Sequence, residues 1–424
     1  MLENRRWLIV IFIFALIIRI FFILFWLQER LYWDDEFAYD RLATQLIEKH
    51  CYQNEEGKPT AFRPPAYPLF LALNYLLWGR HFWAARMFQA FIDCLTLVLV
   101  YLIAKRIFNP KTAVLSASIY SFYPLLIYTA STFFPTTLSI FLLALFIYLL
   151  VSTRQQRSFW KLMFIGIIAG LSVLTVPTFL AFIFLALGWL YFDLREVDPR
   201  RFFPIGIMVI FMTFTMLPWL IRNYCVFNQP FVLSTNSGYN FWMGNNTWAT
   251  PTTGNSIRYP DYLAKELTQA KSEVEQEKIF YQDALQYIKK NPGKFILLTF
   301  KKAVNLWQLY PTPTTGYKMM DRLSKLMSVL SYGPILLFAI FGLIISWRDR
   351  KEYTLLFVLL FVSFTISYAF FITKTRFRLP LDPYLIMLAS FAIAELGRKK
   401  KNIKLSLQRS FSRETVRNHL EHRQ

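Results

Sequence analysis

Cysteine, histidine and charge are all scarce in this sequence. Only three cysteines occur in 424 residues, they form no Cys-x-x-Cys pair, and Cys94 lies inside an apolar run. This pattern argues against a disulfide framework or a zinc knuckle, and leaves a single Cys51–Cys225 bridge as an alternative. The four histidines have no metal-ligand spacing. Because only 17% of the residues are charged and 55% are hydrophobic, the chain lacks the charged surface that a soluble domain needs.

Acidic residues are also few in comparison with basic ones. Lys and Arg number 47 against 26 Asp and Glu, which gives a formal net charge of +21. Such an excess can indicate nucleic-acid binding, but here most basic residues form short clusters between apolar runs. This placement is typical of the cytoplasmic loops of a membrane protein. We therefore expect membrane lipids and no nucleic acid as partners, with both termini in the cytoplasm.

Long apolar runs are abundant. A helix needs about 20 apolar residues to cross the hydrocarbon of a bilayer. Ten runs reach or approach this length: 7–27, 84–104, 112–129, 133–151, 161–176, 178–192, 203–221, 326–347, 354–372 and 380–396. The sequence therefore predicts an all-α integral membrane protein with about ten transmembrane helices. The first run has no small-residue cleavage site, so we interpret it as a retained span.

The alternation of spans and basic clusters predicts four parts. They are 1–221 with seven transmembrane helices and a catalytic outer loop at 28–83, an outer region at 222–325, the last three transmembrane helices at 326–397, and a basic cytoplasmic tail at 398–424. Two shorter apolar stretches, 66–78 and 295–309, are interpreted as interfacial helices on the outer face. Apolar residues at helical spacing within a polar stretch predict one or two solvated helices at 262–291.

Three acidic residues, Asp34, Asp35 and Glu36, closely follow the first span. An ordinary short outer loop does not need such a cluster, whereas a general base or a cation site does. The alternative is a helix N-terminus, in which Asp34 or Asp35 is the N-cap and the acids stabilise the first turn. The two interpretations are compatible, so all three acids are candidate catalytic residues.

Cations on the predicted outer face form a second set of candidates. Arg63 precedes two prolines, whose fixed backbone holds the guanidinium in a stiff turn that suits a phosphate. Lys374, Arg376 and Arg378 lie in the short outer loop before the last span, against the positive-inside trend. On an extended segment, Arg376 and Arg378 would point to one side and could hold a lipid phosphate together. Snorkelling to ordinary lipid phosphates is the alternative for these three cations. Arg222, after the seventh span, is a further candidate phosphate ligand.

Polar and aromatic side chains in the same stretches are candidates for binding the sugar or the acceptor. They are Tyr39, Tyr67, Asn245 and Asn246. Tyrosine stacks on sugars and asparagine forms hydrogen bonds with them, but both are also ordinary loop residues.

Two charged residues lie inside predicted spans. Arg19 and Asp93 are both roughly 12–14 Å below the outer membrane surface at a rise of about 1.5 Å per residue. Because an isolated charge at this depth is costly, we predict that the two side chains form a structural pair.

These stretches together resemble the polyprenyl-phosphate-dependent glycosyltransferases of the GT-C type, close to the protein O-mannosyltransferase and aminoarabinose transferase group (glycosyltransferase family 39-like). The carriers, in chain order, are Asp35-Glu36 with Tyr39, Arg63-Pro64-Pro65, Arg222-Asn223-Tyr224, Gly244-Asn245-Asn246 and Arg376-Phe377-Arg378-Leu379-Pro380. The resemblance spans most of residues 1–397. It implies that Asp35, or its neighbour Asp34, is the catalytic base and that Arg63 binds the donor phosphate.

The resemblance also implies a reaction. A sugar would move with inversion from a polyprenyl-phosphate donor to an acceptor hydroxyl on the non-cytoplasmic face of the plasma (inner) membrane. Arg63, Arg376, Arg378, Lys374 and Arg222 would stabilise the departing phosphate. No cofactor is required, although a divalent cation at the acids is an alternative. A transporter or flippase of lipid-linked sugars is the competing prediction, and it would distribute cations along a path through the membrane.

Overall fold

A computed structural model of the chain describes residues 2–27, 30–153, 157–196, 199–230, 232–252, 259–310 and 318–398. In these residues the secondary structure is helical, apart from one isolated bridge between Gln53 and Pro59. The predicted all-α fold is therefore confirmed. The three cysteines are free thiols, so the alternative of a Cys51–Cys225 bridge is wrong. Except for Arg398, the predicted basic tail lies outside the described residues.

The described residues form 18 helices, joined by connections of very different lengths. Their bounds are α1 (Leu2–Phe22), α2 (Asp34–Glu48), α3 (Ala66–Trp78), α4 (Phe82–Ile107), α5 (Pro110–Ser121), α6 (Pro124–Ala130), α7 (Thr136–Ser152), α8 (Phe159–Thr175), α9 (Phe179–Asp193), α10 (Phe202–Phe227), α11 (Ser237–Gly244), α12 (Asp261–Gln269), α13 (Glu273–Lys290), α14 (Pro292–Leu306), α15 (Lys318–Asp349), α16 (Lys351–Phe370), α17 (Thr375–Arg378) and α18 (382–398). A π-helical turn, Ile23–Leu27, continues α1. Proline is the first residue of α5, α6 and α14, where its missing N–H costs nothing.

Several helices have the length and composition of membrane spans. Among the described residues, six candidates are α1, α4, α10, α15, α16 and the segment Thr375–Arg398, and the bent pair α5–α6 would be a seventh. The chain bends by 61° between α5 and α6, where Pro124 cannot continue the helical hydrogen bonds. The other three predicted spans are the apolar helices α7, α8 and α9, of 17, 17 and 15 residues. The chain is a multi-pass membrane protein, but helix length alone supports six or seven spans rather than the predicted ten.

Small residues allow α8 to pack closely against α10. Gly166 and Gly170 lie four residues apart on one face of α8. A Cβ atom at Gly166 would overlap the carbonyl oxygen of Met208, and one at Gly170 would lie 2.8 Å from the carbonyl oxygen of Met212. Glycines at this spacing let the backbones of membrane helices approach each other. No sequence feature considered above predicts this contact.

A buried charge pair joins α1, α4 and α5. The Arg19 Nε–H donates to Asp93 Oδ2 at 2.6 Å, and the Tyr120 hydroxyl donates to Asp93 Oδ1 at 2.6 Å. Arg19 also donates to the carbonyl oxygens of Ala15 and Ser121. Both charged side chains are buried. The predicted pair of Arg19 and Asp93 is confirmed.

Removing one partner of this pair should destabilise the protein strongly. We expect Asp93→Asn and Arg19→Gln each to lower the free energy of unfolding by about 3–5 kcal/mol, because each variant leaves one buried charge uncompensated. The double variant Arg19→Met/Asp93→Leu, which carries neither charge, should lose less than either single variant. Thermal unfolding in detergent measures all three, and single variants as stable as the wild type would contradict the structural role.

The segments between α1 and α4 and between α10 and α15 contact one another, and we name them together the outer layer. In this layer α2 packs against α3, and α11, α12 and α13 share a small core with Ile372. Glu273 of α13 accepts hydrogen bonds from the Ala61 N–H and the Thr235 hydroxyl, at 2.9 and 2.8 Å. The loop before α3 is therefore tied to the region after α10.

Most predicted outer elements exist, with changed boundaries. Helix α3 coincides with the predicted interfacial stretch 66–78, and α14 covers most of the second one. The stretch predicted as one or two solvated helices forms two, α12 and α13. Helix α10 continues to Phe227 and α15 begins at Lys318, so the predicted boundaries near residues 221 and 326 both fall inside helices. The interfacial positions of α3 and α14 stay predictions.

Candidate active site

The acidic stretch forms the first turn of α2. Trp33 is the N-cap and Asp34 is the first helical residue, so the prediction of an aspartate N-cap is wrong. Glu36 Oε2 accepts from the backbone N–H groups of Tyr32 and Trp33 at 2.7 and 3.2 Å. Its Oε1 accepts from the Phe133 N–H at 2.8 Å. Glu36 is fully buried. Its carboxylate caps the start of α2, because the N-cap residue Trp33 has no side-chain oxygen to do so.

Asp35 lies between two arginines that are distant in sequence. Its Oδ1 accepts from Nη2 of Arg63, and its Oδ2 accepts from Nη1 of Arg376 at 2.6 Å. The Asp35 side chain is 16% exposed. The Asp34 side chain, by contrast, is exposed and forms no hydrogen bond or ion pair with another described residue. The geometry therefore favours Asp35 over Asp34 as the reactive carboxylate.

Local structure and aromatic rings position both guanidinium groups. Arg63 lies in the loop that ends in two prolines at the start of α3, and its guanidinium carbon is 5.2 Å from the centroid of the Tyr39 ring. Arg376 lies in the single turn α17, 4.9 Å from the centroid of the Phe134 ring. Contacts between a guanidinium and the face of a ring are attractive and restrict its orientation. The two cations are thereby fixed on opposite oxygens of Asp35.

The electrostatics of this cluster are dominated by its cations. Burial alone would raise the pKa of Asp35, but the charges of Arg63, Arg376 and Lys374 lower it to about 2. Burial and the neighbouring Arg376 lower the pKa of Lys374 to about 8. The Asp35 contribution to folding stability is therefore complete above its ordinary pKa of 3.8 and is lost as the pH falls to about 2. Near neutral pH, one carboxylate lies among three cationic groups.

A cavity opens beside Asp35 and Arg376. Its other walls include Tyr39, the start of α7, the connection between α8 and α9, and Tyr368 of α16. Val176 and Phe179 contribute apolar surface from that connection. A cavity with charges on one side and apolar walls elsewhere suits an amphiphile, whose charged group would face the charges. Tyr39, which the sequence predicts to bind the sugar, is one of the residues that line this cavity.

Two predicted phosphate ligands have other partners. The predicted extended segment is wrong, because Thr375–Arg378 forms a helical turn leading into α18. Arg376 and Arg378 consequently face different directions. Arg378 is buried and donates to Asp382 at 3.1 Å. Arg222 donates to the carbonyl oxygen of Thr60 at 2.7 Å, within the outer layer. Neither arginine joins the cluster around Asp35, and their roles as phosphate ligands stay predictions.

The predicted sugar ligands Asn245, Asn246 and Tyr67 are buried away from solvent. The Asn245 side-chain amide donates to the carbonyl oxygens of Phe241 and Phe370, both at 2.8 Å. Asn246 donates to the carbonyl oxygen of Trp242 at 2.8 Å. The Tyr67 hydroxyl donates to Gln89 at 2.8 Å. These contacts stabilise the outer layer, and the roles of the three residues in sugar binding stay predictions.

Sequence reasoning missed the residues that hold the chain just before Lys374. Lys302 of α14 is buried, and its Nζ donates to the carbonyl oxygens of Gly244 and Phe371 at 3.1 and 2.8 Å. Burial lowers the pKa of Lys302 to about 8. Gly244 approaches Phe371 so closely that a Cβ atom would overlap the carbonyl oxygen. The available signal was the lysine pair that interrupts the apolar stretch 295–309.

Adding one methyl group at Gly244 should disturb the outer layer. We expect Gly244→Ala to lower the free energy of unfolding by about 1–3 kcal/mol, the usual cost of overpacking. Gly188→Ala is a matched control, because a Cβ atom there would meet no atom within 4 Å. Thermal unfolding in detergent compares the two variants. Equal stability of both would contradict the close contact between Gly244 and Phe371.

The acids do not form a metal site with the described residues. No group of three or more His, Cys, Asp and Glu side chains converges in that part of the chain. The Glu36 carboxylate binds backbone N–H groups and the Asp35 carboxylate binds two arginines. In this structure both carboxylates are therefore held by N–H donors, and a divalent cation at the acids stays a prediction.

Comparison with known proteins gives a family match for part of the chain and a fold for nearly all of it. The model of the dolichyl-phosphate-mannose-protein mannosyltransferase family matches residues 62–221, a range that contains Arg63 but neither Asp35 nor Arg376. No protein of curated function matches the sequence. The matched range includes α3 through most of α10.

Solved structures share the architecture of nearly the whole chain. The apo form of the oligosaccharyltransferase from Archaeoglobus fulgidus aligns with a TM-score of 0.56 and 15% identity, over 96% of this chain and 52% of that one. The oligosaccharyltransferase AglB from the same organism, in complex with an inhibitory peptide and a dolichol-phosphate, aligns with a TM-score of 0.55 and 15% identity. This alignment also covers 96% of this chain and 52% of that one. ArnT from Cupriavidus metallidurans, bound to undecaprenyl phosphate, aligns with a TM-score of 0.45 and 13% identity, over 91% of this chain and 77% of that one.

The chain spans about half the length of the oligosaccharyltransferases that it matches. At this identity the alignments establish the fold, which is that of the GT-C proteins. The family model independently covers the part of the chain that presents Arg63. The chain therefore has the GT-C fold, and residues 62–221 are similar to the dolichyl-phosphate-mannose-protein mannosyltransferase family.

Proposed function

We propose that this protein transfers a sugar from a polyprenyl-phosphate donor to an acceptor hydroxyl, with inversion at the anomeric carbon. The observation that carries the proposal is the carboxylate of Asp35 held between Arg63 and Arg376 at the edge of a largely apolar cavity. A base and two phosphate-binding cations are what this displacement needs.

The reaction can be written with the groups of this site. The acceptor hydroxyl oxygen forms a bond to the anomeric carbon while its proton passes to Asp35. The bond between that carbon and the phosphate oxygen breaks, and the electron pair leaves with the polyprenyl phosphate. Because attack and departure occur on opposite faces of the sugar, one displacement inverts the configuration.

Positive charge in the cluster would stabilise the departing phosphate. Arg63 and Arg376 offer planar N–H donors that bind phosphate oxygens in pairs. Lys374 adds a third charge, since its electrostatic interaction with Asp35 places it in the same cluster. Donors that are already oriented in a partly dehydrated site stabilise developing charge without reorganisation, which supports a role in the chemical step.

A lipid-linked donor is supported by the apolar walls of the cavity and by the comparisons. One structural neighbour is described in complex with a dolichol-phosphate, and the matched family model names a dolichyl-phosphate-mannose donor. We propose that the reaction takes place on the non-cytoplasmic face of the plasma membrane. The positive-inside pattern supports this orientation, because the basic clusters between spans lie opposite the loops that carry the site.

A transporter of lipid-linked sugars would need charges along a path through the membrane. Within the described residues, the buried Arg19 pairs with Asp93, and Arg378 pairs with Asp382. Both pairs join helices or turns of the scaffold. The buried arginines of these pairs are neutralised within the scaffold, whereas the cations around Asp35 lie together at one site. This distribution favours the enzyme over a transporter.

The fate of the donor separates the two functions. Purified protein in liposomes would receive undecaprenyl phosphate carrying radiolabelled mannose or glucose, together with a crude membrane fraction as acceptor. We expect release of undecaprenyl phosphate and label in the acceptor fraction. Intact donor that moves between the two leaflets would contradict the proposal and indicate a transporter.

Lys374 should make the use of the donor dependent on pH. Its pKa of about 8 means that the ammonium loses its proton as the pH rises above this value, so one of three phosphate-binding charges disappears. We expect kcat/KM for the donor to fall between about pH 7 and 9.5, since this constant reports the free enzyme. Lys374→Arg keeps the charge and should flatten the profile. A fall that persists in this variant would assign the titration to Lys302, whose pKa is also about 8.

A further inference from the structure

The Asp35 carboxylate binds guanidinium N–H groups of Arg63 and Arg376. In the proposed function, the same groups bind the phosphate of the sugar donor. Each carboxylate oxygen accepts from one arginine, Oδ1 from Arg63 and Oδ2 from Arg376. Two guanidinium groups that converge on a single anion from different segments form a clamp for an oxyanion. In this structure the oxyanion is the carboxylate of the base itself.

The N–H groups of Arg63 show how a phosphate would replace the Asp35 carboxylate. Nε and Nη2 of an arginine point from the same edge of the guanidinium, and a phosphate binds that edge with two parallel hydrogen bonds. In Arg63, Nη2 donates to Asp35, whereas Nε is buried without a partner among the described residues. A phosphate on this edge would satisfy Nε and would displace Asp35 from Nη2.

The rings beside the arginines make simultaneous binding of both anions difficult. The guanidinium carbon of Arg63 lies over the rings of Tyr39 and Phe62, 5.2 and 5.3 Å from their centroids, and that of Arg376 lies over the rings of Phe134 and Phe377, at 4.9 and 5.4 Å. Aromatic faces cover these guanidinium planes, so new partners must approach along the edges. Asp35 already occupies part of those edges.

We propose that the donor phosphate and the Asp35 carboxylate compete for Arg63 and Arg376, so that binding of the donor releases Asp35 to act as the base. This inference rests on the proposed function. It makes the base available when a donor is bound.

The charges around Asp35 give this competition a chemical consequence. Arg63, Arg376 and Lys374 lower the pKa of Asp35 to about 2, against the effect of burial, and Tyr39 is the other titratable group beside it. A carboxylate with so low a pKa is a weak base. Once a phosphate neutralises the arginines, burial prevails and the pKa of Asp35 rises. Donor binding would then strengthen the base for accepting the hydroxyl proton.

Binding of a single-charged phosphate ester tests the competition without catalysis. The probe is geranylgeranyl methyl phosphate in detergent micelles, a diester whose charge stays constant at neutral and mildly acidic pH. Isothermal titration calorimetry would compare the wild type, Asp35→Asn and Asp34→Asn. The last variant removes the same charge from the neighbouring, exposed residue, so it measures the general effect of losing one negative charge.

We expect Asp35→Asn to bind the probe about tenfold more tightly than the wild type, because the two arginines lose their internal anion. Asp34→Asn should change the affinity by less than about twofold. At about pH 5, titrations in two buffers of different ionisation enthalpy should show that the wild type takes up protons on binding and that Asp35→Asn does not.

The possible outcomes are distinct. Equal affinity of the wild type and Asp35→Asn, or the same gain in Asp34→Asn, would overturn the competition. Tighter binding without proton uptake by the wild type would overturn the activation of the base. If none of the three proteins bound the probe, the proposed donor site would be wrong, and the competition with it. Sugar transfer by the wild type, measured separately, shows whether the proposed function survives a failure of the competition.

Discussion

Replacing Asp35 with asparagine should lower the rate of sugar transfer by about 10²–10⁴-fold, the range found when a general base is lost. The reason is that an amide of the same size cannot accept the proton of the acceptor hydroxyl. The amide oxygen of the variant could still receive a hydrogen bond from Arg63 or Arg376, so the fold should persist. The effect should therefore appear in kcat for transfer at saturating donor. Some stability near neutral pH should also be lost, because Arg63 and Arg376 lose their anionic partner, but the variant should still unfold cooperatively on heating.

Two neighbouring variants provide controls for the loss of Asp35. Asp34→Asn removes an exposed carboxylate one residue away and should keep most of the activity. Glu36→Gln changes the carboxylate that caps α2, and we expect lower stability together with any loss of activity, because two backbone N–H groups at its Oε2 depend on it. A variant Asp35→Asn with wild-type activity, or an Asp34→Asn variant as impaired as Asp35→Asn, would assign the base to another residue.

Replacing either arginine of the cluster should have the second largest effect. We expect Arg63→Ala and Arg376→Ala each to lower kcat by about 10²–10³-fold, the usual cost of removing one oriented donor from a site of developing charge. Lysine at either position retains the charge but lacks the planar pair of donors, so Arg376→Lys should recover only part of the rate. Transfer assays over a range of donor concentration give kcat and KM for each variant.

Arg41→Ala is a suitable control for the arginine variants. Arg41 lies on α2 near the site and pairs with Glu55, whose side chain is 79% exposed. Removing such a surface pair usually changes stability by less than about 1 kcal/mol. An effect of Arg63→Ala or Arg376→Ala on KM alone, with kcat unchanged, would show uniform binding of the phosphate instead of stabilisation of the leaving group.

The sequence predicted the chemistry of the site better than its geometry. Apolar runs and basic clusters were sufficient to predict a multi-pass all-α protein, because membrane spans need a fixed length of apolar chain. The pairing of Arg19 with Asp93 followed from their equal depth. The two prolines after Arg63 and the unexpected side of the membrane for Arg376 predict that these residues are phosphate ligands, and the structure places both against Asp35.

Other candidates could not be separated by sequence alone. Arg378 follows Arg376 by two residues, and only the helical turn of α17 directs it to Asp382. Asn245 and Asn246 have the composition of sugar ligands, yet their amides bind carbonyl oxygens of the backbone. Some of these partners, such as Phe370 for Asn245, come from segments far away in the chain. Local patterns therefore predicted which residues were polar but not what they contact.

The position of a bound donor analogue would show whether Asp35, Arg63 and Arg376 together form the active site. Electron cryomicroscopy of the full chain with a non-cleavable polyprenyl phosphonate sugar would show the phosphonate group and the anomeric carbon. We predict that the phosphonate oxygens lie within hydrogen-bond distance of Arg63 and Arg376, and that the carboxylate of Asp35 lies on the opposite face of the sugar. A phosphonate bound at Arg222 or Arg378, away from Asp35, would contradict this active site.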